Sequence, residues 1–118
     1  MKLIEPQEIE VFYILPAIRR ELAINLDKEG LQQNEISELL HVTPAAINQY
    51  LNSKRALEVN FSPQIKKEIK KSALRIKNGS FFLEETQNLL RKIKQARVVC
   101  TLHKKFTNLP CCNACFKM

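Results

Sequence analysis

Residues 31–55, LQQNEISELLHVTPAAINQYLNSKR, decide how the chain is read. Ile36, Leu39 and Leu40 recur at helical spacing and give a first short helix one apolar face. Val42 falls in a tight turn, where it can fill the gap between two helices. Thr43 is a strong helix N-cap, and Pro44 follows at the first helical position, where its missing N–H costs nothing. Ile47, Tyr50 and Leu51 then form the inner face of a second helix. Its outer face carries Thr43, Ala45, Asn48, Gln49 and Asn52, which are small or amide-bearing. An amide can pair bidentately with the edge of adenine, so this face suits reading bases in a DNA major groove. Ser53, Lys54 and Arg55 lie just past the helix. The plain alternative is that two short amphipathic helices serve only as core.

Upstream, Ile9, Phe12 and Tyr13 predict a first helix over 6–15 that turns these side chains inward. Pro16 is expected to break or kink it. Ile18, Leu22 and Leu26, with Ala23 beside them, predict the next helix over 16–28, stopped by Gly30 in a left-handed cap. Arg19 and Arg20 either reach phosphate or pair with Glu21 and its neighbours; a structural role is the expectation. Downstream, residues 60–62 read as a linker, and Ser62-Pro63 as a cap and first-turn proline. Ile65, Ile69, Ala73 and Ile76 make the buried stripe of a helix over 63–77, with Lys66, Lys67, Lys70, Lys71 and Lys77 on the remaining arc. Asn78-Gly79 stops it, and Ser80 can cap the last helix, 81–97. Phe82, Thr86, Leu89, Leu90 and Ile93 form a stripe there that suits either the chain's own core or a second subunit.

The chain has 118 residues, a hydrophobic fraction of 45%, two glycines and no tryptophan. Apolar spacing is helical nearly throughout, and no alternating strand is found. The expectation is an all-α fold: a compact helical bundle in which residues 1–80 form the DNA-binding unit. Residues 81–118 then add a further helix and a cysteine-rich tail for metal binding and dimerisation. No apolar run is long enough to span a membrane, and the acidic start MKLIEPQEIE lacks a signal-peptide layout, so a cytoplasmic protein is expected. The net charge is +7, and its distribution matters. Residues 1–60 are net acidic, whereas residues 61–118 hold 13 basic groups against 3 acidic ones. A basic surface beside a base-reading helix supplies phosphate attraction without sequence information, although lysine-rich helices are often only solvated faces. No Ser/His/Asp set or phosphate loop is present, so an enzyme is not expected.

Residues 31–55 resemble the helix-turn-helix of Cro/repressor (xenobiotic-response-element) regulators, in which a run such as LSQxEIAxLLGVTxxAVSxYL is typical. Gln33, Glu35-Ile36, Leu39-Leu40, Val42-Thr43, Ala46-Ile47 and Tyr50-Leu51 match it. His41 stands where that class usually has glycine, Ser37 where it often has alanine, and Pro44 where it often has a base-reading Gln or Ser. The longer stretch YILPAIRRELAINLDKEGLQQNEIS resembles small archaeal transcription regulators of the same class, whose N-terminal helix often reads WYVLPAIRRxLAxxLxxxGLSQ. The resemblance implies a sequence-specific DNA-binding regulator, a likeness covering about residues 9–55. Gln33, Thr43, Pro44, Ala45, Asn48, Gln49, Ser53, Lys54 and Arg55 would contact double-stranded DNA. A homodimer would read a palindromic operator with half-sites about one helical turn apart.

All four cysteines fall in the last nineteen residues, CTLHKKFTNLPCCNACFKM, as C-x2-H-x8-C-x2-C with one further thiol. Clustered cysteines in a reducing compartment favour metal over disulfides. Two assignments compete with unligated thiols. An iron–sulfur cluster, 4Fe-4S or 3Fe-4S, would use Cys100, Cys112 and Cys115, with Cys111, an outside group or nothing as the fourth ligand. A structural zinc would use Cys100, His103, Cys112 and Cys115. VVCTLHKK resembles the LCxLHR-like element of the archaeal regulators, several of which look like iron–sulfur proteins, but the further CxxC pair many of them carry upstream is missing here. The leading expectation is a cluster that senses redox state or cluster supply. The alternatives are a purely structural zinc and, in another class, a small electron-transfer or cluster-delivery protein.

Overall fold

The computed structural model describes residues 5–52, 59 and 61–95, and all regular structure among them is helical. A helical turn α1 (Pro6–Ile9) passes through a π turn (Glu10–Ile14) into α2 (Leu15–Lys28). There follow α3 (Gln33–Leu40), α4 (Pro44–Leu51), α5 (Pro63–Lys77) and α6 (Phe82–Gln95). No helix among the described residues is long and apolar enough to cross a membrane.

Pro16 neither breaks nor ends the first helix. The Leu15 N–H reaches back five residues to the Glu10 carbonyl, and this widened turn gives the proline ring room against the carbonyls before it. The widening also changes which side chains share a face. Ile9 and Ile14, five apart, are both fully buried, whereas Phe12 is 65% exposed, contrary to the inward position that a 3.6-residue period predicts. Tyr13 packs half-buried against the core.

The helix ends follow local chemistry. Gly30 (φ 91°) and Gly79 (φ 108°) each close a left-handed stop. In the first, Leu31 N–H donates to the Leu26 carbonyl and Gly30 N–H to that of Asp27; in the second, Ser80 N–H donates to Arg75 and Gly79 N–H to Ile76. Ser62 caps α5 through Ile65 N–H at 3.3 Å. Ser80 completes the stop of α5 rather than capping α6, whose first backbone bond runs from Glu85 N–H to the Phe81 carbonyl.

One core holds all the helices. Ile18, Leu22 and Leu26 of α2, Ile36 and Leu40 of α3, and Ile47 of α4 are fully buried, as are Ile69 of α5 and Ile93 of α6. Each such side chain contributes about 1.5–3 kcal/mol by leaving water. α2 is the hub, packing against α3, α4 and α5. It runs in the same direction as α5: Glu21 in the middle of α2 shares a groove with Pro63 at the start of α5, and Glu29 just past the end of α2 meets Lys77 at the end of α5 at 3.4 Å. Parallel neighbours need a long crossover, and α3 with α4 lies within it. The α6 stripe is used inside the chain: Phe82, Thr86, Leu89 and Ile93 are buried and Leu90 is half-buried. Two ion pairs fasten α6 to α5. Arg75 Nε donates to the nearly buried Glu85 at 2.9 Å, and Lys92 meets Glu68 at 2.6 Å.

Candidate nucleic-acid interface

α3 starts on a reciprocal cap. Gln32 N–H donates to Glu35 Oε1 at 3.3 Å, and the Gln32 side chain accepts from the Glu35 backbone. Gln33 therefore stands exposed at the first helical position, where free N–H groups give the helix end its partial positive charge. Ile36 and Leu40 are buried, and Leu39 packs half-buried against the core. Ser37 is buried too, its hydroxyl satisfied by the Asn34 carbonyl at 2.8 Å, so a small polar residue serves at this close approach without an orphaned donor.

The turn between α3 and α4 is left-handed at His41, with φ 56° and ψ 42°. His41 is the one non-glycine residue with positive φ among the described residues. A glycine would adopt this conformation without strain, whereas an L side chain costs about 1–2 kcal/mol. The imidazole is exposed and lies tilted against Phe82 of α6, with ring centroids 6.1 Å apart. Val42 N–H then donates to the Ser37 carbonyl, and its side chain packs against the core as the spacing predicts. Thr43 Oγ1 accepts from Ala46 N–H at 3.1 Å, and Pro44 opens α4.

Ile47 and Tyr50 lock the inner face of α4 into the core, with Leu51 half-buried beside them. This orients the opposite face. Thr43, Ala45, Asn48, Gln49 and Asn52, the five side chains expected outward, are all exposed and stand together on one strip, with Pro44 exposed beside them. With its side chains an α-helix is about 10–12 Å across, and a B-DNA major groove about 12 Å wide admits one. Asn52 Nδ2 donates to Asn48 Oδ1 at 2.9 Å, whereas Gln49 has no partner among the described residues. Ser53, Lys54 and Arg55 lie outside the described residues.

The field around this strip is not basic. No lysine or arginine occurs from residue 31 to 52, and Glu35 and Glu38 are exposed on α3, where they line a groove with Leu31, Leu39 and Lys77. Positive charge stands elsewhere, on α5 and at the end of α2. There the arc of lysines is divided in a way that spacing did not foretell. Lys71 and Lys92 both approach Glu68, and Lys77 approaches Glu29. The hydrogen bond and charge of Lys92, with a smaller part from Lys71, hold the Glu68 carboxyl below its usual range. Lys28, Lys66, Lys67 and Lys70 have no such partner among the described residues. Arg20 pairs with Glu21 at 3.3 Å, one of the two roles its position suggested.

His103 and the four cysteines Cys100, Cys111, Cys112 and Cys115 lie outside the described residues, and so does the metal site they suggest. Among the described residues, no three His, Cys, Asp or Glu side chains gather as a metal-binding group. Comparison with protein-family models, curated proteins and solved structures finds no match to this chain.

Proposed function

We propose that this chain is a sequence-specific DNA-binding transcription regulator in which α3 and α4 act as a helix-turn-helix and α4 enters the major groove. The observation that carries the reading is the outward strip of α4. It gathers small and amide side chains on a helix whose other face is held by Ile47 and Tyr50. Small residues let the helix approach the base edges, and Gln49 and Asn48 offer the donors and acceptors that distinguish base pairs. Gln33 at the start of α3, and Ser53, Lys54 and Arg55 beyond α4, would fix the helix against phosphates.

The reading includes a homodimer on a palindromic operator. Exposed Phe81 and Leu83, at 77% and 72%, support self-association near the start of α6; the buried α6 stripe does not serve it. It also includes an iron–sulfur cluster on Cys100, Cys112 and Cys115, with Cys111, His103 or no residue completing the set, as a sensor of redox state or cluster supply. Its support is the donor set, three or four thiols within sixteen residues, which is the chemistry such clusters use.

The deciding experiment is selection of bound duplexes from a random library by the wild type and by Gln49→Ala. The wild type is expected to enrich a palindrome, and Gln49→Ala to lose or relax preference at one position in each half-site while keeping its fold. An unchanged site in the variant, or no enriched site at all, removes the groove assignment of α4.

A further inference from the structure

Five lysines have no partner among the described residues, and four of them, Lys28, Lys66, Lys67 and Lys70, line a single open groove of about 370 Å³ between α2 and α5; the fifth, Lys94, stands on α6. Their absence of pairing is not general to the surface, since Lys71, Lys77 and Lys92 each meet a carboxylate. The one acid in the groove, Glu21, is engaged by Arg20 at 3.3 Å. Asn25 beside it turns its amide N–H back to the Glu21 carbonyl at 2.7 Å. Nothing among the described residues therefore answers four ammonium groups in one place, and such a concentration of one sign attracts an extended anion.

The shape of the groove selects among anions. Lys66 and Lys70 are one turn apart, about 6 Å along α5, close to the repeat at which a nucleic-acid strand presents successive phosphates. Lys67 and Lys28 widen the row. No aromatic ring lines the groove to stack a base, and its single amide is turned into its own helix. Lysines are point charges without the fork that recognises one particular phosphate or carboxylate bidentately. This is equipment for neutralising a backbone, not for reading bases.

We infer that the α2–α5 groove binds the sugar–phosphate backbone of duplex nucleic acid, independently of sequence, through Lys28, Lys66, Lys67 and Lys70. The inference goes beyond the reading of α4, because it does not require α4 to contact any base.

The test uses the full chain and a short DNA duplex of random sequence, with binding followed by fluorescence anisotropy over a salt series. Lys66→Gln with Lys70→Gln is expected to flatten the slope of log affinity against log salt by about 1.8, from about 0.9 per phosphate released. At low salt the affinity falls about tenfold or more. The second pair, Lys28→Gln with Lys67→Gln, is expected to do the same, so the result does not hang on the folding of one variant. Lys77→Gln, whose lysine already meets Glu29, is expected to change the slope by less than half of about 0.9. Unchanged slopes in both pairs overturn the inference and leave the groove to an acidic protein segment. An equal loss per charge in Lys77→Gln overturns it as well, since the effect is then one of net charge alone.

Discussion

Replacing His41 separates two effects that the turn between α3 and α4 combines. The residue holds φ 56° and ψ 42°, a conformation that costs any L side chain about 1–2 kcal/mol. Its ring contact with Phe82, at 6.1 Å and 51°, is worth about 0.5–1 kcal/mol in return. His41→Ala removes the ring but keeps the strain, so it should lose about 0.5–1 kcal/mol. His41→Gly removes both; relief of the strain is partly offset by about 0.5–1 kcal/mol of extra freedom in the unfolded chain. Glycine should therefore be about 1 kcal/mol more stable than alanine and close to the wild type. For a helical unit of this size 1 kcal/mol is about 5 °C in melting temperature. Denaturant titration of the three proteins measures this directly, and repeating it in a Phe82→Leu background should shrink the cost of His41→Ala. Equal stabilities for alanine and glycine would refute the backbone argument. An alanine cost that stays the same in the Phe82→Leu background would refute the ring contact.

Three further outcomes are expected. Arg75→Ala takes the partner from the nearly buried Glu85 and should cost about 2 kcal/mol in thermal or denaturant unfolding, whereas a loss of only a few tenths would mean that water satisfies the carboxylate. Glu68 is held below the ordinary glutamate range by Lys92. Its contribution is therefore complete above that range and lost as pH falls through the lower native value. The melting temperatures of wild type and Glu68→Gln should converge in acid and separate towards neutrality, and a gap independent of pH would contradict this. Cys112→Ser should abolish bound iron and sulfide after anaerobic purification; full retention of both moves the proposed cluster to other ligands.

Much of the fold could be read from the sequence because its signals are local. Gly30, Gly79, Thr43 and Ser62 each end or begin a helix where their own backbone or hydroxyl chemistry demands it. The outward strip of α4 was legible for a related reason: once Ile47 and Tyr50 claim the inner face, Asn48 and Gln49 have only one direction left. Phe12 was misread because a proline four residues on had widened the turn, and no propensity in residues 10–14 announces an i→i+5 bond. The lysines of α5 could not be sorted in advance, since Glu29 and Lys77 are brought together only by the packing of α2 on α5. The α6 stripe allowed two partners of equal chemistry, and only the three-dimensional packing places Leu89 and Ile93 in the chain's own core.

The π turn before α2 also bears on how this segment tolerates changes of length. In a regular helix, deleting one residue swings everything upstream by about 100° and scrambles the buried face. Here the chain carries one residue more than a straight helix needs. Removing Val11, which is exposed, would leave Ile9 and Ile14 four positions apart, and four positions is again one face of an α-helix. The obstacle to the deletion is Pro16, whose ring would then meet a regular turn at a cost of about 3 kcal/mol. Surplus residue and proline thus form a matched pair. The shorter form of this helix that still buries Ile9 is the one that has lost both.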